Sequence, residues 1–243
     1  MSKHLNSILF SAAIVIAAFV LGNAFVNRNK AENLISVTGL GEKNFVSDLV
    51  VWEGSFSCAN MNLKIASAEL NSDKGLIENY LVRNGVEKNS IVFSAINIRE
   101  LTRQKYSQSG EVVGEEFAGY RLTQSIQISS KDIEKIEGIS RKITELLNEG
   151  IQFNSENPRY YYTKLADLKI VLVSEATKDA RERAEKIAEE SGSKIDELQS
   201  AQMGIIQITG QNSNEDYSWG GTYNTSSRDK TASITMKLTY KVK

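Results

Sequence analysis

The sequence predicts an α+β fold: a mixed, largely antiparallel sheet or sheets with about three packed helices, preceded by an apolar N-terminal signal or anchor helix. Three observations predict it. Segments with period-two alternation are interleaved with segments whose apolar residues recur every three or four positions. Short turns between them allow antiparallel pairing. Ahead of both lies a run, Leu5 to Val26, that holds no charge.

That run is preceded by Lys3 and His4 and closed by Arg28 and Lys30. About 20 apolar residues span a bilayer core as a helix, so it is long enough to anchor. It also has the parts of a secretory signal: a basic start, an apolar core near Ile8–Leu21, and the small residues Gly22-Asn23-Ala24 before a cut. Residues 1–30 are therefore a signal peptide or a transmembrane anchor, and residues 31–243 an α+β domain. The membrane is a partner through residues 5–26 if the segment is kept. Either way the chain is expected in the cell envelope, membrane-anchored facing the periplasm or periplasmic after cleavage near Ala24. Basic residues on both flanks leave the orientation open.

Asn33 to Glu42 alternates as a strand and is expected to end in a turn at Gly39-Leu40-Gly41. A phosphate-cradling loop is excluded there, since the third glycine and the following helix are missing. Val46 to Cys58 is a strand with Val50, Trp52, Phe56 and Cys58 on one face. Cys58 is the only cysteine; its parity makes it a buried strand residue, with an intermolecular bridge as the alternative. Asn60 to Asn84 is a helix ended by Gly85. Ile91 to Glu100 is a strand whose apolar phase shifts between Phe93 and Ile96, which predicts a bulge. Ser107 to Glu116 reads as a hairpin loop. In the next strand Tyr120, Leu122, Ile126 and Ile128 alternate with Arg121, Thr123, Ser125 and Gln127, and Gln124 is the one polar break on the inner face.

Ser130 is the expected N-cap of a helix carrying Ile133, Ile136, Ile143, Leu146 and Leu147, ended by Gly150. Ile151 to Tyr162 is extended, and Pro158 assigns it to an edge or bulge. Ala166 to Ser191 is the strongest helix. Ala176, Ala180, Ala184, Ile187 and Ala188 form a narrow stripe that lets it lie close to a sheet. Its other face alternates in sign, with an expected Glu182–Lys186 pair, and reads as solvated. Ile195 to Gly210 is strand, Gln211 to Lys230 a long polar loop, and Ser233 to Val242 the last strand. The total is roughly seven strands and three helices besides the apolar run.

Composition narrows function. A net charge of −1 and a pI near 6.0 leave no electrostatic footprint for nucleic acid. His4 is the only histidine and lies in the targeting segment, so the domain lacks the base of Ser-His-Asp and Cys-His catalysis and the usual zinc and haem ligand. No catalytic, cofactor-binding or metal-ligating residue is expected, and the protein is not expected to be an enzyme. Loops longer than about 12–15 residues are uncommon unless functional or disordered. The aromatics of the 211–230 loop, Tyr217, Trp219 and Tyr223, are therefore candidate contact residues. Tyr160 and Tyr161, from the run Tyr160-Tyr161-Tyr162, join them because interfaces favour tyrosine, although alternation splits that run between two faces.

The sequence resembles the SIMPL-domain family of bacterial cell-envelope (periplasmic) proteins. The resemblance is carried by Ile35-Ser-Val-Thr-Gly-Leu-Gly-Glu42, by Gly119-Tyr120 leading into the strand ending at Ile128, and by Glu175-Ala-Thr-Lys-Asp-Ala-Arg-Glu-Arg-Ala184 with Ile187-Ala188 and Gly192. Met203-Gly204 and the strand after Lys230 complete it. It implies an α+β domain in the periplasm or on a membrane, ring-like homo-oligomers in some relatives, and a link to stress tolerance in others; it supplies no catalytic residues. The expectation is a non-enzymatic envelope protein that self-associates or scaffolds partners. The alternative is a periplasmic ligand-binding module that uses the aromatic loop 211–230.

Overall fold

A computed structural model describes the backbone of residues 2–28 and 33–243, with side chains over residues 9–25 and 33–243. In helix α1, Ser2–Arg28, the large apolar side chains from Leu9 to Phe25 are all more than half exposed. Among the described residues no helix is long and apolar enough to cross a membrane. The ends of the expected span, residues 5–8 and 26, lie outside the described side chains.

The rest of the chain forms two compact units. The larger comprises residues 41–175 and 205–235. Its centre is an antiparallel ladder between β2 (Leu49–Asn60) and β5 (Val112–Ser130), in register from Val50↔Ser130 to Asn60↔Tyr120. β3 (Ile91–Phe93) and β4 (Asn97–Tyr106) line the free edge of β5, while β6 (Phe153–Ser155) and β7 (Arg159–Tyr161) line that of β2, all antiparallel. Alternation decides the faces. Val50, Trp52, Phe56, Leu122, Ile126 and Ile128 all point one way and are buried beneath α2 (Leu63–Arg83) and α3 (Ile133–Lys142), which bring Leu70, Ile77, Leu81, Ile133 and Ile136 into the same core. The Trp52 indole donates to Ser155 Oγ at 3.0 Å and Glu156 O at 3.1 Å, so its one polar atom is satisfied at the edge of that core. Beyond Leu101↔Gly119 the β4–β5 hairpin continues as a two-stranded ribbon that neither helix covers, with Tyr106, Val112, Val113 and Phe117 exposed.

The smaller unit comprises residues 1–40, 176–204 and 236–243. β1 (Leu34–Val46), α4 (Leu165–Glu190) and β10 (Asp229–Val242) each supply residues to both units. β8 (Ile195–Met203) pairs antiparallel with the end of β10, and β9 (Gln207–Gly210) with its beginning; β1 lies on the other side of β10. Ala176, Ala180, Ala184 and Ala188 are fully buried, as the small-residue stripe predicts, whereas Ile187, expected in the same stripe, is exposed. Gly39 faces them. A Cβ there would lie 2.7 Å from the Ala180 Cβ and closer still to Ala176 O. The Leu40 amide donates to Asp179 Oδ2 at 2.8 Å, which holds that carboxyl below its ordinary value together with the Arg183 guanidinium.

Several expectations need correction. Gly39-Leu40-Gly41 is not a turn; β1 runs through it, because the glycine is required by the approaching helix backbone rather than by chain reversal. Three expected strands are each split in two, so the described residues hold ten strands and not seven. The break between β3 and β4 has a specific cause. Gln124, on the apolar face, needs a partner and donates to Ser94 O at 2.7 Å, while Ser94 Oγ accepts from the Ser125 amide. The hairpin loop is only residues 107–111, with Gly114 inside β5. Asp132, not Ser130, caps α3: its carboxylate accepts from the Lys135 amide, and Ser130 Oγ accepts from Asp132 N one step earlier. The helix tightens into a 3-10 turn over Ile143–Glu149, ended by Gly150 at φ 82°. Glu182 pairs with Lys178 instead of Lys186, which reaches Glu189 and Glu190.

Gly39→Ala is expected to force the strand and helix apart and destabilise the protein by about 1–3 kcal/mol, read as a lower unfolding temperature. Cys58 is half-buried, its Sγ donates to Ala66 O at 3.0 Å, and burial pushes the thiol up from its ordinary value. Native protein should therefore react with a thiol reagent at least about tenfold more slowly than unfolded protein.

Candidate contact site

The long loop between β9 and β10 is folded, and the group that folds it is Lys230. Strand alternation places Lys230 on the side of β10 that carries Ala232 and Ile234, and its side chain is fully buried. A buried ammonium must find acceptors. Its Nζ donates to Asn224 O at 2.8 Å, to Ser227 O, and at 3.5 Å to Asn224 Oδ1. The first turn of the chain before β10 is thus wrapped around the cation.

A second tier rests on the first. Glu215 accepts from the Gly210 amide at 2.9 Å and from Asn224 Nδ2, and these two donors hold its carboxyl below the ordinary value. Asn224 Oδ1 accepts from the Ser227 amide at 2.8 Å. Gln207 closes the far side: its Nε2 donates to Ser218 O at 2.9 Å, and its Oε1 accepts from Thr222 N at 2.8 Å. The backbone then returns alongside β9, where Ile208 N donates to Thr222 O and Asn224 N to Ile208 O.

The five candidate contact residues divide. Trp219 is 99 % exposed and Tyr217 63 %, with the Tyr217 hydroxyl accepting from the buried Ser233 Oγ at 3.2 Å. Tyr223 and Tyr161 are brought together, their ring centroids 6.5 Å apart. Tyr160 points to the opposite face, as alternation requires. It packs against the core, and its hydroxyl donates to Glu137 Oε1 at 2.9 Å. Burial and the Glu137 carboxylate push that phenol up to about 12. Its backbone amide donates to Thr225 O at 2.7 Å, tying β7 to the loop. Tyr160 is therefore a support, and the presented surface is Tyr217, Trp219, Tyr223 and Tyr161.

Lys230 is absent from the sequence-based candidates. The signal was present: it lies in phase with Ala232, Ile234 and Leu238, where a lysine is out of place. Burial brings its amine down to about 8, an effect that the Glu215 carboxylate opposes. An amine so tuned is chemically competent, but here its protons are directed at carbonyl and amide oxygens and the side chain is sealed from solvent. Among the described residues no three His, Cys, Asp or Glu side chains come together to hold a metal. The hydrogen bonds fix the backbone of the loop that carries Tyr217, Trp219 and Tyr223.

Lys230→Ala strands Asn224 O and Ser227 O without their donor. Hydrogen exchange of the 210–228 amides is expected to accelerate at least about tenfold, while the β2–β5 amides keep their protection. The pH dependence follows from the same burial. The folded amine titrates near 8 and the unfolded one near 10.5, so between these values the unfolded chain binds more protons and stability rises with pH. Tyr80 and Tyr160, both raised to about 12 from 10.0, contribute stability that is lost only above pH 10. Between pH 8 and 10 the unfolding temperature of the wild type should therefore climb relative to that of Lys230→Met.

No curated protein matches the chain. A family model does: SIMPL, described as a protein of unknown function (DUF541), matches residues 35–242. The match begins in β1 and ends with the last residue of β10, taking in the alanine-striped helix and the Lys230 loop. The chain belongs to the SIMPL family.

Proposed function

We propose that the chain is a non-enzymatic protein of the cell envelope that self-associates or scaffolds partners through the 211–228 loop. The observation that carries this reading is Trp219, 99 % exposed on a loop held from beneath by a buried ammonium. Burying a large aromatic side chain stabilises a complex by roughly 2–3 kcal/mol. A loop already fixed by hydrogen bonds loses little further entropy on docking. Tryptophan and tyrosine are also the side chains that most often dominate interface energetics.

The alternative is a ligand-binding module on the same loop. A small-molecule site encloses its ligand and draws its aromatics around a cavity. Trp219 stands clear of the fold instead and Tyr217 is mostly exposed beside it, which favours an extended partner surface. The envelope location rests on α1 as a targeting segment with no cover for its apolar side chains. N-terminal sequencing of material from the envelope fraction reads its fate: Phe25 as first residue means removal, and Met1 means retention.

Size-exclusion chromatography with light scattering on the full chain in mild detergent is expected to give a mass above the monomer. Trp219→Ala should weaken association at least about tenfold without moving the unfolding temperature. A strict monomer at high concentration removes the self-association version. Undiminished assembly of Trp219→Ala removes the loop as its surface.

A further inference from the structure

Nine arginines have described side chains, and seven of them reach a carboxylate. The two that do not are Arg99 on β4 and Arg121 on β5, and the strand register sets them directly opposite each other. Their sequence neighbours Ile98 and Leu122 form the adjacent pair, and Leu122 is buried under the helices. Arg99 and Arg121 therefore share the uncovered face of the sheet, and both are exposed. Cross-strand partners have Cβ atoms about 5 Å apart, and like charges so placed repel. The other seven arginines with described side chains each reach a carboxylate; these two stand opposite each other.

Their surroundings are those of a site. Across β5 the same row continues to Ala59, which is too small to fill the space beside Arg121. The next row on this face is Ser57, Thr123 and Asn97. None of these three side chains has a hydrogen-bond partner among the described residues. Two carboxylates on the face are already paired, Glu116 with Arg103 and Glu53 with Arg159. Further along, the face opens into a groove of about 670 Å³ whose lining includes Ser55, Ser125 and Gln127 and, at its far side, Glu53, Glu156 and Arg159. Two positive charges, two hydroxyls and an amide thus share two adjacent rows of one face, and neither guanidinium has a carboxylate partner among the described residues.

We propose that Arg99 and Arg121 bind a phosphate group, assisted by Ser57, Thr123 and Asn97. A guanidinium presents parallel N–H donors that match pairs of oxygens on phosphate or carboxylate. One carboxylate occupies one fork and leaves a net positive charge; a phosphate monoester offers enough oxygens for both forks and the second negative charge. The open face beyond gives room for whatever the phosphate is attached to. The shared chemistry is the phosphate, free or as a lipid headgroup.

The test uses the full chain at low ionic strength with chloride as background. Calorimetric titration with inorganic phosphate is run beside co-sedimentation with phosphatidylcholine vesicles, with and without phosphatidic acid. The double variant R99Q/R121Q is compared with R83Q, which alters an arginine that already reaches Glu149. Saturable phosphate binding, weakened at least about tenfold in R99Q/R121Q and unchanged in R83Q, supports the site with a free anion as ligand. A gain in co-sedimentation on adding phosphatidic acid, lost in the same double variant, supports it with the headgroup as source. Absence of both, or binding that R99Q/R121Q retains, overturns it. R99Q/R121Q should unfold at the wild-type temperature or above, because it relieves a repulsion. If it unfolds lower, R99K/R121K keeps the charge but loses the forks and must still bind phosphate more weakly.

Discussion

The β2–β5 ladder is the constraint on which the larger unit depends. Its register runs unbroken from Val50↔Ser130 to Asn60↔Tyr120, and a slip of one residue would turn every side chain to the other face. In the register adopted, Trp52, Phe56, Leu122, Ile126 and Ile128 lie beneath α2 and α3, while Ser55, Ser57, Thr123, Ser125 and Arg121 face the other way. The ladder therefore makes two surfaces at once. One is the apolar core; the other is a polar face on which Arg99 and Arg121 meet. Neither could be altered by shifting the strands without destroying the other.

The smaller unit solves a different problem with little side-chain volume. Helix and strand approach until only Gly39 and alanine fit between them, and the Leu40 amide finds its acceptor in Asp179. A polar helix face thereby becomes a partner for the strand backbone. The Lys230 loop inverts the usual relation between charge and core. Buried charges are generally a liability unless fully hydrogen-bonded, and here the hydrogen bonds are to the loop itself. The desolvation of one amine is offset by the ordering of a polar segment that has few apolar residues to order it.

Much of this was legible in the alternation and spacing of the sequence. The strands around Trp52 and Ile128, the alanine stripe and the glycine ends of the helices follow from local periodicity alone. The β3–β4 break was legible as a phase shift between Phe93 and Ile96 that read as a bulge. That it parts the strand depends on what one side chain needs from another, since Gln124 draws Ser94 out of the line. Gly39 misled for the same reason, since a glycine reads as a turn until the helix that requires it is in place. Of the contact site, Trp219 and Tyr223 were visible as aromatics in a polar loop. Lys230 was visible only as a lysine in phase with Ala232, Ile234 and Leu238; its acceptors, mainly backbone carbonyls, carry no signature in sequence. The opposition of Arg99 and Arg121 is likewise invisible without the register of β4 on β5.

The β4–β5 ribbon beyond Gly119 has a consequence for motion. A two-stranded ribbon without a covering layer is only marginally stable in water, whereas the ladder it extends is sealed by two helices. The same β5 backbone thus passes from a segment that opens only with the whole unit to one that can part and re-form alone. Arg121 lies at that boundary, two residues from Gly119. The two-stranded end can sample approaching molecules on a fast timescale, while the ladder behind it keeps the geometry of the sheet fixed.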